Sequence, residues 1–378
     1  MTDESTLAGP ADTRPRRPRG GGGKRRKPRG RSKALVITGW AAASVVVLGG
    51  TGLGVVYFKL NGNIKGVDIN AALGTNRPPD IDNGSQDILV LGSDSRSGKN
   101  AKYGKDEGAA RSDTAMIVHV YKGHKKASVV SIPRDTLISR PACEAVDGGD
   151  GGTDPGGQRQ MFNTAYEVGG PACAVKTVEK MTGIRMDHYL EVDFTGFKKL
   201  IDTLGGVDIT TKKAIHDKDS HLDLEAGTHT LTGEQALGLV RTRHGVGDGS
   251  DLGRIQLQQA FIKALLDQVK DVGLFDNWKK LYDLANDATS AVTTDSELND
   301  VKSLAGFANG LKGIGAGDMK MVTMPIQYDP ADPNRVLPLE EADQQVWDAL
   351  RADKPIPKSA TEKSAGDKGD VGDVVAGH

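Results

Sequence analysis

Between Leu231 and Gln259 the chain reads LTGEQALGLVRTRHGVGDGSDLGRIQLQQ, which concentrates fixed positive charge beside a helix start. Arg241 and Arg243 close one amphipathic run, a glycine-rich loop containing Asp248 follows, and Asp251 opens a second run that carries Arg254 and Gln258. In a helix, offsets of three and seven residues place Asp251, Arg254 and Gln258 on one face, with Ile255, Phe261, Ile262, Leu265 and Leu266 on the apolar side. Three guanidinium groups and a donor amide near the positive end of a helix dipole suit an anion with several oxygens, such as a pyrophosphate. A solvated, salt-bridged helix pair would show the same spacing.

A second set of charges recurs at the ends of β-like runs: Asp94 and Arg96 after DILVL, Arg111 and Asp113 before Thr114 to Tyr121, and Arg134 with Asp135 after Lys126 to Ile132. Any one of them would be an ordinary loop residue. Together, Asp94 and Asp113 offer hard oxygen ligands to magnesium (or manganese), with water and phosphate oxygens completing the shell. The combination suggests a site for a phosphorylated or pyrophosphorylated ligand; a structural ion-pair network is the alternative.

The elements that must position these groups form an α/β pattern, a central β-sheet covered by helices, preceded by one transmembrane helix. Strands are expected at Asp87 to Leu91, Thr114 to Tyr121, Lys126 to Ile132, His188 to Val192, Val207 to Thr211 and Lys320 to Met324. Helices are expected at Phe162 to Val168, Ala172 to Met181, Phe194 to Leu204, Gly233 to Val240, Asp251 to Val272, Trp278 to Ala285 and Leu298 to Leu311. With 378 residues, 37% of them hydrophobic and 26% charged, the chain is long enough to bury a full core. The net charge of -1 hides an asymmetry, since the first 33 residues hold 11 Lys and Arg against 3 acids. Residues 1–33 have almost nothing apolar to bury and read as a disordered basic tail. Residues 34–58, ALVITGWAAASVVVLGGTGLGVVYF, are uncharged and as a helix would extend roughly 37 Å, enough to span a bilayer and longer than a signal-peptide core. The positive-inside rule then places the N-terminus in the cytoplasm and everything after Phe58 outside the cell membrane. That topology explains the basic tail without a nucleic acid. Residues 59–84 read as a linker, 85–352 as the folded extracytoplasmic domain, and 353–378, rich in Lys, Gly, Asp and Ser, as a disordered tail.

Cys143 and Cys173 are too few for a disulfide framework and lack zinc-site spacing. Both lie on the oxidising side of the membrane in this topology, so a structural disulfide is expected. It would close a loop of about 31 residues and contribute about 3.7 kcal/mol in the chain-entropy model. Two unpaired buried cysteines are the alternative. The eight histidines are scattered, and no HExxH motif occurs.

The runs LVLGSDSR, RSDTAMIVHV and VVSIPRDT, the stretch from Phe162 to Ile209, and LVRTR followed by DLGRIQLQQ together resemble the LytR-CpsA-Psr family. The likeness runs in order over roughly Asp87 to Val272. It implies a membrane-anchored extracytoplasmic phosphotransferase that moves a glycopolymer from a polyprenyl-pyrophosphate carrier to a muramic acid hydroxyl of peptidoglycan. By motif, Asp94 and Asp113 would bind magnesium, Arg111, Arg134, Arg241, Arg243, Arg254 and Gln258 would grip the pyrophosphate, and apolar walls between sheet and helices would take the lipid tail. The chain departs from the usual pattern in a long Gly-rich insert between Cys143 and Gln160, and no further C-terminal domain is recognisable. Charge management would dominate such a transfer, because negative charge develops on the bridging oxygen of the leaving group. Asp251 and Asp135 are candidates for a base; the arginines, always protonated, are not. A polyprenyl-pyrophosphate hydrolase and a non-catalytic wall-binding or regulatory anchor are the other classes this sequence permits.

Overall fold

Alternation along the central runs decides how the sheet packs. In the computed structural model, which describes residues 54–93, 112–146, 152–243, 246, 251–271, 278–367 and 375, Leu89 and Leu91 join one apolar cluster while Ile88 and Val90 join another. A strand with both faces apolar must be covered on both sides. The strands involved are β1 (Lys65–Val67), β2 (Gln86–Ser93), β3 (Ser112–Val120), β4 (Ala127–Ile132), β5 (Leu137–Arg140), β6 (Gly157–Met161), β7 (His188–Asp193), β8 (Val292–Asp295), β9 (Met319–Thr323), β10 (Ile326–Asp329) and β11 (Asp332–Pro338). Seven of them form one mixed sheet in the order β1-β8-β7-β2-β3-β4-β9. The pairs β2 with β7, β4 with β9 and β1 with β8 are parallel; β2 with β3, β3 with β4 and β7 with β8 are antiparallel. The C-terminal ends of β2, β4, β7 and β9 therefore share one edge with the start of β3, the usual place for a ligand in an open α/β sheet.

The main helices are α1 (Thr164–Thr182), α2 (Phe194–Leu204), α3 (Gly233–Arg241), α4 (Asp251–Asp271), α5 (Trp278–Ala291), α6 (Val301–Leu311) and α7 (Glu340–Arg351). One sheet face packs Leu89, Ile117 and Val130 against Val175 and Val178 of α1 and Trp347 of α7. On the other face Ile88, Val120 and Ala127 meet Phe307 and Leu311 of α6, yet α6 has no buried residue, so that face is only partly covered. A separate core joins Ile201 of α2, the hairpin strands Val207–Thr211 and Gly227–Leu231, and Leu257 and Phe261 of α4.

Phe194–Leu204 and Val207–Thr211 coincide with the sequence expectation, and the other expected strands and helices recur with ends shifted by a few residues. The two helices expected on either side of Gly169 are one helix interrupted there, because Gly169 and Gly170 leave helical geometry and Pro171 follows. A Cβ on Gly169 would lie 2.6 Å from Cys173 Cβ and 2.7 Å from Glu144 O. Glycine at that position admits the short strand Cys143–Glu144 against the helix, where Cys143 and Cys173 form a disulfide with Cα atoms 5.5 Å apart.

The strand Val292–Asp295, the helix Glu340–Arg351 and the hairpin β10–β11 were not expected from the sequence. The tail placed at 353–378 is corrected over 354–367, which carries the short helix Lys358–Thr361 and buries Ile356, Ala360 and Ala365. A polar composition hid three apolar anchors spaced four to five residues apart. The basic tail 1–33 and most of the expected span, 34–53, lie outside the described residues; 54–63 is helical, and among the described residues no helix is long and apolar enough to cross a membrane.

Candidate active site

Pro133 removes a backbone donor just after β4, and the chain turns there, with Thr136 N and Thr136 Oγ1 both bonded to Pro133 O at 3.1 and 2.7 Å. That turn presents Arg134 at the carboxyl edge of the sheet, where its Nη1 donates to Asp113 Oδ1 at 2.5 Å. Helix α3 starts on a capping box between Thr232 and Gln235 and ends at Thr242, which is fully buried and extended, its hydroxyl bonded to Gly238 O and Ser220 Oγ. Beyond it, Arg243 N donates to Asp217 Oδ2 at 2.9 Å, so a buried polar frame fixes where the Arg243 side chain departs.

Helix α4 docks its first two turns against the start of β3. Arg254 Nη2 donates to Asp113 O at 2.9 Å, and Gln258 Nε2 donates to Thr114 Oγ1 and Val240 O at 3.0 and 2.9 Å. Asp251 sits among the guanidinium groups, in contact with Arg254 and 3.9 and 4.0 Å from Arg134 Nε and Arg243 Nη2. Arg134, Arg243, Asp251, Arg254, Asp113 and Gln258 are thus brought together, of which the helical spacing alone had placed Asp251, Arg254 and Gln258 on one face. Arg241 lies over a ring next to the end of β7, its Cζ 5.1 Å from the Phe194 centroid. Gln258 uses both amide protons on the frame, so it positions α3 and β3 rather than offering a ready donor. Asp94, Arg96, Arg111 and Asp248 lie outside the described residues.

The electrostatics are those of an anion seat with cation to spare. Burial pushes the Asp113 carboxyl up, but Arg254, Arg134 and Arg243 outweigh it and hold it below its usual range. Burial and then repulsion by Arg254 and Arg134 lower Arg243 below the ordinary guanidinium value. Buried Arg134 Nε and Arg254 Nε have no hydrogen-bond acceptor among the described residues. Unsatisfied buried donors are costly, and an anion with several oxygens would satisfy them. Asp113 is ionised and suits a hard cation, although among the described residues no group of three or more His, Cys, Asp or Glu could hold a metal alone. A cation here would take the rest of its shell from phosphate oxygens and water.

Arg134, Arg243 and Asp251 line a cavity of 430 Å³ whose further walls include Asp135, Asn163, Tyr328 and Arg335. Tyr328 and Arg335 come from the β10–β11 hairpin, which sequence reasoning missed because the run DPADPN, with its turn at Pro330 and Ala331, breaks the apolar alternation. A larger cavity, 1070 Å³, is lined by Lys180 of α1, Leu337 of β11 and Asp343 of α7 and by none of the clustered arginines, so its size does not make it the reacting site.

A family model described as LytR_cpsA_psr family matches residues 56–352. The chain is 30% identical over 302 residues, 77% of its length and 86% of the relative's, to the polyisoprenyl-teichoic acid--peptidoglycan teichoic acid transferase TagT of Bacillus subtilis. It is 32% identical over 231 residues, 60% of its length, to the probable cell wall biosynthesis protein LcpB of Corynebacterium glutamicum, and the match spans about half (51%) of that relative. A LytR-Csp2A-Psr enzyme from Actinomyces oris shares the fold, with a TM-score of 0.54 at 24% identity over 76% of this chain and 95% of that one.

Proposed function

Since this chain belongs to the LytR-CpsA-Psr family, we propose that it is a membrane-anchored phosphotransferase that moves a glycopolymer from a polyprenyl-pyrophosphate carrier to a peptidoglycan hydroxyl, forming a phosphodiester link. The observation that carries this is the gathering of Arg134, Arg243 and Arg254 around Asp251, with the buried Nε–H groups of Arg134 and Arg254 lacking acceptors among the described residues. Transfer to peptidoglycan is also the activity in the name of the similar TagT.

In this reading the two phosphates of the carrier occupy the arginine seat, and Arg111 and Arg241 would add to the grip on them. Arg254, held on Asp113 O, and Arg134, held on Asp113 Oδ1, are preorganised, so they need no reorganisation when charge develops on the bridging oxygen. Asp251 keeps three guanidinium groups at fixed separation; both its oxygens are buried, which suits an organiser better than a base. Asp94 and Asp113 would hold magnesium or manganese, which would neutralise non-bridging phosphate oxygens. The partly covered sheet face under α6 supports a place for the prenyl tail. A span at residues 34–58, with the N-terminus cytoplasmic, would hold the domain on the outer surface where carrier and wall meet.

The test supplies the full chain in detergent with a lipid-pyrophosphate glycan and a peptidoglycan acceptor. The expected result is a linked product, with polyprenyl phosphate released. Free glycan phosphate with and without acceptor would assign a hydrolase, and an intact lipid with glycan bound would assign an anchor; either replaces this function.

A further inference from the structure

The cavity of 430 Å³ that Arg134, Arg243 and Asp251 line on one side also contains groups that a pyrophosphate does not need. Asp135 would repel an anion. Its Oδ2 is 3.6 Å from Arg134 Nε and its Oδ1 is 3.4 Å from Arg335 Nη1, so one arginine of the anion seat and one of the hairpin fix it from two sides. Asn163 precedes α1 yet makes no side-chain cap bond; it is 7% exposed, and its Oδ1 is buried with no partner among the described residues. A buried carbonyl oxygen in a cavity wall asks for an incoming O–H or N–H. Tyr328, 40% exposed, contributes an aromatic ring to the same lining, a surface suited to the C–H face of a sugar.

We infer that the side of this cavity formed by Asp135, Asn163, Tyr328 and Arg335 is the acceptor subsite. It takes one hydroxyl-bearing amino-sugar ring of a glycan, with Asn163 accepting a hydrogen bond from it, Tyr328 stacking on it, and Asp135, positioned by Arg335, receiving the proton of the attacking hydroxyl. This rests on the transferase reading above and adds the location and residues of the second substrate. The hydroxyl oxygen forms a bond to the phosphorus that carries the glycopolymer, the bond from that phosphorus to the bridging oxygen breaks, and polyprenyl phosphate leaves with the electron pair. The proton passes to Asp135 and from there to solvent. Asp135 is better placed for this than Asp251, whose two oxygens are both buried among guanidinium groups. The space beyond the arginines suits one sugar ring rather than a folded partner.

The experiment measures donor binding and acceptor kinetics separately on the full chain in detergent, using a lipid-pyrophosphate glycan and a short uncrosslinked peptidoglycan oligosaccharide. Asn163→Ala and Tyr328→Ala are expected to raise the acceptor KM by about 3- to 10-fold each, the worth of one hydrogen bond or ring contact, with the donor Kd unchanged, whereas Arg335→Gln, which releases Asp135, is expected to lower kcat with a smaller change in acceptor KM. Asp135→Asn is expected to lower kcat by roughly 10²- to 10⁴-fold with a smaller change in acceptor KM, and Asp135→Glu to recover part of it. Should Asn163→Ala fail to fold, Arg335→Gln and Tyr328→Ala, on the hairpin and partly exposed, still decide. An acceptor KM at the wild-type level in the folded Asn163 and Tyr328 variants, a wild-type kcat in Arg335→Gln, or a donor Kd that rises in step with the acceptor KM would overturn the subsite. A wild-type chain that binds donor but forms no linked product would instead overturn the transferase reading itself.

Discussion

Arg254 and Arg243 bring the same charge into different surroundings, and their substitution should separate stability from function. Arg254 is 3% exposed and in contact with Asp251, while the Arg243 side chain is 33% exposed and 4.0 Å from the nearest Asp251 oxygen. Removing one partner of a buried pair strands the other, at a cost of about 3 to 5 kcal/mol. Arg254→Ala should therefore lower the melting temperature as well as transfer. Arg243→Ala leaves a pair that was loose, so it should cost roughly 10- to 150-fold in transfer, the equivalent of one charge-assisted hydrogen bond of about 1.5 to 3 kcal/mol, with little change in melting. Arg243→Lys should recover little, since an ammonium keeps the charge but loses the planar fork. Thermal melts beside single-turnover transfer check this; equal melting losses in both variants would make the cluster a structural network. The i, i+3, i+7 spacing made Asp251, Arg254 and Gln258 visible in the sequence, but not that Gln258 spends its protons on Thr114 and Val240. That depends on a partner more than a hundred residues away in the chain.

Elements with a clean period were readable for the same physical reason that they are stable. Phe194–Leu204 shows one apolar face with an Asp193 cap bonded to Gly196 N, and β2 to β4 are apolar on both faces. Val292–Asp295, VTTD, carries no such signal and joins the sheet only because β1 and β7 flank it. Helix α7 begins EEADQQ, which reads as a solvated run, yet Asp343 is buried there and its Oδ1 has no partner among the described residues. Burial pushes its carboxyl up to about 7 from 3.8. The folded chain then keeps a proton that the unfolded chain has lost. Between about pH 4 and pH 7 this group makes stability fall as pH rises, and above about 7 its contribution is flat. Asp343→Asn removes that loss, so the variant should match the wild type near pH 4 and exceed it at pH 8, by at most about 4 kcal/mol. Chemical denaturation at the two pH values checks it. A variant that is less stable at pH 8 would mean that the ionised carboxylate has a partner which the folded chain needs.

The family match ends at residue 352, but the folded unit does not. Residues 354–367 return along the molecule and touch both halves of the proposed site. Gln256 Nε2, on the arginine-bearing helix, donates to Gly366 O at 3.2 Å, and Ile326 N, at the start of the hairpin that walls the cavity, donates to Ser364 Oγ at 3.0 Å. Lys320 Nζ holds Ile356 O at 2.9 Å from β9, and the Ile356 side chain is buried in the same core as Trp347. This segment is therefore expected to fix α4 and the hairpin relative to each other, a role that charge-rich composition conceals. Ile356→Ala should cost about 2 to 5 kcal/mol of stability, as for other buried large-to-small changes. Deleting residues 354–378 should do at least as much, and should also slow transfer more than it weakens donor binding, because the arginines keep their Asp113 and Asp251 partners while the hairpin loses its Ser364 tie. Melting, donor binding and transfer of the truncated chain measured together decide the matter. If melting falls while transfer and donor binding weaken by the same factor, the segment supports the fold as a whole and has no particular hold on the hairpin.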